Sequence, residues 1–192
     1  MPHSRLFPIK KQENDGGHCK KLQKDDALLK SIATFANNME VIESIIAAVL
    51  NDIHTKGFST QQPFEIGLVE NRMSVFAEEH GIILGSQSLY MSAKQLQHCL
   101  RASKNAKELV VSDDELILFP RNRFAMDLYF DGECFIYANE RAKFIIHPNY
   151  QIKVERGVNI VVNFITATRR RDKYEFNGKR YIKIETDHAG EG

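Results

Sequence analysis

The chain changes its hydrophobic period once, and that change limits the folds open to it. Between Asp26 and Lys56 apolar residues recur at alternating spacings of four and three: Leu28, Ile32, Phe35, Met39, Ile42, Ile46, Val49 and Ile53. This spacing draws a single stripe along a helix, and Gly57 stands where such a helix would end. From Phe124 onward the pattern is that of strands. "FAMDLYF" and "CFIYA" flank an Asp131-Gly132 turn signal, "AKFIIH" is short and β-rich, and "VNIVVNFITAT" is the strongest strand of all. "RDKYEF" and "KRYIKIE" flank Asn177-Gly178, which suits a type I′ hairpin turn. Helices first and strands afterwards predict an α+β fold, with N-terminal helices packed on an antiparallel β-meander of four to six strands.

Three segments follow from the same pattern. Residues 1–25 are polar and aperiodic, with two prolines and a Gly-Gly, and are expected to form a flexible tail. Residues 26–57 form the heptad helix. Its extra apolar residues Leu29, Ile45 and Leu50 widen the stripe beyond a coiled-coil seam, so docking on its own domain is expected, with self-association through 26–56 the alternative. Residues 58–192 form the remaining domain. There "FEIGLV" reads as a short strand and "NRMSVFAEEHG" as a helix ended by Gly81. "MSAKQLQHCLRASKNAK" (91–107) reads as a second helix, started by a Ser92/Gln95 capping box with a Met91–Leu96 staple. Ser112 and Glu115 repeat the device for a helix running to about Phe119, before Pro120.

The net charge of +1 rules out a uniformly basic nucleic-acid binder, so any electrostatic footprint must be local. Cys19, Cys99 and Cys134 show no C-x-x-C spacing and are odd in number, which argues against a disulfide framework. The seven histidines stand singly, so no metal site is expected. Asp113, Asp114 and Glu115 are accounted for as helix first-turn charge. No apolar leader or membrane-length run stands out, and the expectation is a soluble protein of a reducing, cytoplasmic compartment. No P-loop, G-x-G-x-x-G or G-x-S-x-G is present.

Two basic features remain. At about 100° per residue, Lys94, His98 and Arg101 share one helix face, with Lys104 at its margin and no acid beside them. A solvated face usually mixes charge signs, so a phosphate-facing wall stands against the simpler reading of a merely solvated one. Residues 169–183 carry Arg169, Arg170, Arg171, Lys173, Lys179, Arg180 and Lys183 against Asp172 and Glu175, a local net of +5. Tyr174, Phe176 and Tyr181 are interleaved, which suits phosphate attraction plus base stacking; protection of a sheet edge is the alternative. Strand alternation puts Lys143, Ile145 and His147 on one face, opposite Phe144 and Ile146. It groups Thr166 and Thr168 with Ile160, Val162 and Phe164. An imidazole, cations and hydroxyls fit a metal-independent phosphodiester cleavage, for which the ribose 2′-hydroxyl is the natural nucleophile.

The succession "SLYMSAKQLQHCLRASK", "SDDELILFP", "FIYANERAKFIIHPNY" and "NIVVNFITAT" resembles the phage-associated nucleases of the Barnase–EndoU–colicin–RelE-like superfamily, over about residues 63–185. That resemblance implies a metal-independent endoribonuclease needing no cofactor, often a toxin of phage or mobile-element origin. Its partners would be RNA and a cognate antitoxin or immunity protein. It implies His98 and Arg101 on the basic helix, Lys143 and His147 in the "K-F-I-I-H-P-N-Y" strand, and Thr166 and Thr168 at a strand end as the catalytic set. A non-catalytic nucleic-acid-binding or virion-associated protein is the second reading.

Overall fold

The computed structural model describes residues 38–101, 104, 107–153, 159–170, 175–178 and 180–185. The chain divides into two units, Met1–Asn38 and Met39–Gly192, and the second holds the sheet and the helices that cover it. The expected tail and the part of the heptad helix before residue 38 lie outside the described residues.

Residues 38–56 are helical and form α1. Gly57 ends it with φ +81° and an N–H donated to the Ile53 carbonyl at 2.9 Å. Ile46, Val49, Leu50 and Ile53 are buried in the main core. This half of the seam therefore docks on its own domain. Two polar links fix the docking: Arg121 grips Glu43 with two hydrogen bonds (2.8 and 3.0 Å), and His54 Nε2 meets Asp113 at 2.8 Å.

The remaining elements are β1 (Phe64–Leu68), α2 (Asn71–Glu79), β2 (Ser88–Met91), α3 (Ala93–Leu100) and α4 (Asp113–Asn122). A 3₁₀ turn, β3 (Asp127–Phe130), β4 (Phe135–Ala138), β5 (Ala142–Lys153), β6 (Asn159–Arg169) and β7 (Ile182–Ile184) come after them. Among the described residues no helix is long and apolar enough to cross a membrane. Ser112 caps α4 in a full capping box with Glu115, and Asp113, Asp114 and Glu115 occupy its first turn. The expected stop before Pro120 is corrected. The helix continues through a buried Pro120 to Asn122 and then tightens into the 3₁₀ turn Arg123–Ala125. Burial in the core outweighs the one hydrogen bond that proline removes.

The sheet corrects the expected meander. Among the described residues it has seven strands in the order β1-β2-β6-β5-β4-β3-β7, and β2 runs parallel to β6 through Leu89↔Asn163 and Tyr90↔Phe164. Strand β2 is only four residues long, with Leu89 and Met91 buried and Ser88 and Tyr90 partly exposed. Asn163, fully buried, holds it there: its side chain accepts from Gly85 N (2.8 Å) and donates to the Ser86 and Ser88 carbonyls. A Cβ on Gly85 would come within 2.8 Å of the β6 backbone, so only glycine allows this approach.

Of the expected hairpin at Asn177-Gly178, residues 171–174 and 179 lie outside the described residues. Strand β7 pairs with β3 (Leu128↔Ile184, Phe130↔Ile182), while Glu175 and Phe176 lie in a turn. Tertiary packing decides this: Ile184 enters the main core, and Phe176 stacks on Tyr129 (4.5 Å between centroids, 13° between planes). At Asp131-Gly132 the hairpin forms as expected, through a longer turn in which Asp131 Oδ1 accepts from Glu133 N and Cys134 N.

Helices α1, α2, α3 and α4 each contribute apolar residues to one core against one sheet face. Phe119 of α4 stacks on Phe144 of β5 at 3.9 Å, and both are nearly inaccessible. The opposite sheet face carries two smaller clusters, Tyr129–Ile136–Ala138–Phe176 and Val162–Phe164 with Tyr90. Between them lies the strip that holds Cys134, His147 and Thr166.

Candidate functional site

Helix α3 follows directly from β2. Ser92, with extended backbone, caps it by accepting from Gln95 N (3.4 Å), while Ala93, Leu96 and Cys99 bury one face in the core. The sequence predicts a helix continuing to residue 107. It ends at Leu100 instead, and Arg101 turns to extended backbone (φ −59°, ψ 148°).

His98, Lys94 and Arg101 are exposed. Arg101 Nη1 lies 3.4 Å from His98 Nδ1; with the guanidinium as donor, Nδ1 accepts and the ring proton sits on Nε2. Partial burial first, and then the charges of Arg101 and Lys104, hold the imidazole below its ordinary range. Lys104 Nζ donates to the Ala167 carbonyl at 2.8 Å, and Cys99 Sγ accepts from Ala167 N at 3.3 Å. Side chains from α3 and beyond thus complete the β6 edge where β2 has stopped. Burial first, then Arg101 and Lys143, lower the Lys104 pKa, with Cys99 acting in the opposite direction.

The six residues expected to be catalytic divide into separate groups. His98 and Arg101 adjoin each other on α3. His147 and Thr166 adjoin on the sheet, Nε2 to Oγ1 at 3.3 Å. Lys143 forms an ion pair with Glu175 and lies opposite Thr168, whose hydroxyl donates to the Leu109 carbonyl (3.2 Å). The two faces of β5 are as strand alternation predicts: Phe144 and Ile146 point into the main core, and Lys143, Ile145 and His147 point away from it.

Cys134 joins this strip without having been expected there. Its Sγ stands 3.3 Å from His147 Nδ1. Alternation through "CFIYA", with Phe135 paired to Ile146, places Cys134 on the His147 face, but only the register of β4 on β5 reveals it. Burial first, then Asp131 and Glu133, push this thiol up to about 11. Burial lowers the His147 pKa against the pull of Asp131.

The basic segment is only partly described; Arg171, Lys173 and Lys179 lie outside the described residues. Arg169 is exposed at the end of β6. Arg170 donates from Nη1 to the Asn139 carbonyl (2.9 Å) and stands over the Phe176 ring at 5.0 Å. Arg180 stands over the Tyr181 ring at 5.8 Å, and Lys183 meets Asp127 at 3.0 Å. Among the described residues no group of three or more His, Cys, Asp or Glu is placed to hold a metal ion.

The class defined by this architecture is an α+β protein with a mixed seven-stranded sheet, carrying a basic helix at the edge where its parallel strand stops. Comparison with protein-family models, with curated proteins and with solved structures finds no match.

Proposed function

We propose that this protein is a metal-independent endoribonuclease that engages the RNA phosphate at the Lys94–His98–Arg101 face. The observation that carries the reading is an exposed imidazole with a guanidinium 3.4 Å from its Nδ1, its pKa lowered by partial burial and by the neighbouring cations. A phosphate arriving at this face draws Arg101 from the ring and frees the Nδ1 lone pair. That lone pair takes the proton of the 2′-hydroxyl as its oxygen attacks phosphorus, while Arg101 and Lys94 hold the charge on the phosphoryl oxygens. The bond to the 5′-oxygen breaks, that oxygen takes a proton from water, and a 2′,3′-cyclic phosphate remains. The short motifs shared with the phage-associated nucleases support this reading, and with it RNA and an antitoxin or immunity protein as partners. The parallel β2–β6 pair departs from the antiparallel meander expected from the sequence pattern.

The test is purified protein with RNA, with and without EDTA. Cleavage to 2′,3′-cyclic ends that EDTA does not inhibit, lost in His98→Ala, is the expected result; equal cleavage by His98→Ala overturns the assignment. A nucleic-acid-binding protein without catalysis is the second reading, favoured by Lys143 and Thr168 being engaged internally by Glu175 and Leu109. Binding without cleavage by the wild type would select it.

A further inference from the structure

The basic face of α3 does not stop at Lys94. It opens into a cleft of about 390 Å³ where the start of the helix meets β5 and β6. That volume is at the lower end of ligand-binding clefts, about 300–1,000 Å³. The cleft shares Lys94 and Gln95 with the hollow in front of His98 and Arg101, about 340 Å³, so the two adjoin at these side chains. In its wall the Tyr150 ring lies on Phe164, centroids 5.0 Å apart and planes 17° from parallel. Phe164 is only 2% exposed and Tyr150 is 43% exposed. The bulge between His147 and Tyr150, with Asn149 at φ +57°, is what lifts Tyr150 out of the regular β5 register.

We infer that this cleft is a nucleobase subsite, in which an unpaired base of single-stranded RNA stacks on the free face of Tyr150 and its phosphate is carried by Lys94 toward His98. The inference rests on the RNA reading above and specifies which RNA that site takes. Three features argue for it. One face of Tyr150 is occupied by Phe164 and fixed in orientation, so little rotamer freedom is lost when a base covers the other. A planar aromatic face recognises any base, and a cation one step away recognises the phosphate that accompanies it. Gln95 and Gln151 line the same cleft and present amide donors and acceptors suited to a base edge. A duplex cannot use this site, because its bases are already stacked.

The experiment uses the full chain and a short single-stranded RNA carrying one 2-aminopurine, whose fluorescence falls on stacking, with 2′-deoxy sugar at the scissile position to prevent cleavage. Wild type should quench the probe and bind the single strand more tightly than the matched duplex. Tyr150→Ala should lose the quench and weaken single-strand binding roughly tenfold or more, with the salt slope unchanged, as expected of lost base stacking. Tyr150→Phe should restore both, and a thermal midpoint for Tyr150→Ala close to wild type separates lost stacking from lost folding. Lys94→Gln should keep the quench at saturation and flatten the salt slope by roughly one unit. Undiminished quench and affinity in Tyr150→Ala overturn the subsite. If the same variant still cleaves ordinary RNA, the nuclease reading stands without it. Loss of the quench in Tyr150→Ala, with no cleavage by wild type, upholds the subsite and removes the nuclease.

Discussion

Cys134, just before β4, and His147 of β5 face each other, Sγ to Nδ1 at 3.3 Å. A thiol pushed up to about 11 stays protonated at neutral pH, and the Nε2 of the same ring lies 3.3 Å from the Thr166 hydroxyl. Cys134 should therefore be a slow nucleophile. Against an unperturbed thiol its thiolate population, and so its alkylation by iodoacetamide near pH 8, should be lower by roughly a hundredfold. Peptide mass spectrometry over time reads this directly, and labelling at the rate of a free thiol would contradict the pairing.

His147 should make stability depend on pH in one direction. Its native imidazole is held below the ordinary range by burial, so the unfolded chain binds that proton more readily. The stability present above about pH 6.5 is lost as pH falls from there toward the depressed native value, and the loss ends below it. His98 shifts the same way, so the comparison belongs in a His98→Gln background. There, adding His147→Gln should flatten the fall in urea midpoint between about pH 7.5 and pH 5.

On the proposed nuclease reading, His98 sets the pH profile of cleavage. Acting as a base, it must be neutral, and its lowered pKa keeps it so at lower pH than a free imidazole. The rate constant kcat/KM, which reports the free enzyme, should rise with pH and level off at a midpoint below about 6.5. His98→Ala should lose about 10²–10⁴-fold in activity while RNA affinity changes little.

Gly67 is required by Arg123. It sits at the β1 irregularity with φ +136°, and a Cβ there would come within 2.8 Å of Arg123 Nη2, in a residue only 2% exposed. Gly67→Ala combines a strained backbone with this overlap and should cost about 1–3 kcal/mol. A lowered urea midpoint at unchanged slope would show it.

Ile46 is completely buried in the main core. Ile46→Asp would bury an unpaired charge and should cost several kcal/mol or abolish folding. If the seam served only to join copies, the variant would remain folded as a monomer in sedimentation and circular dichroism.

Where sequence and structure agree, the interactions are local. The seam through Ile46, Val49 and Ile53, the Ser92 and Ser112 caps, and the two faces of Lys143–His147 all depend on neighbours within a turn or along one strand. Where they part, the deciding contact is distant. Nothing near "SLYM" announces that Tyr90 will lie parallel to Phe164, because Asn163 and Gly85 decide it together. Nothing near Asn177-Gly178 announces that Ile184 will pair with Leu128. The same limit holds at the site: His98 and Arg101 adjoin because they are three residues apart, whereas the partners of Lys143 and Thr168, Glu175 and Leu109, lie far along the chain.

The parallel strand also sets an order of events during synthesis. β2 leaves the ribosome well before β6, and until β6 follows, β2 has only β1 to pair with and the Ala167 edge that Lys104 and Cys99 complete does not exist. Pairings this distant in sequence form late. The groove between α3 and Tyr150 can therefore be assembled only after residues near 167 have emerged. A nascent chain of this protein therefore carries the basic helix before it carries the groove beside it.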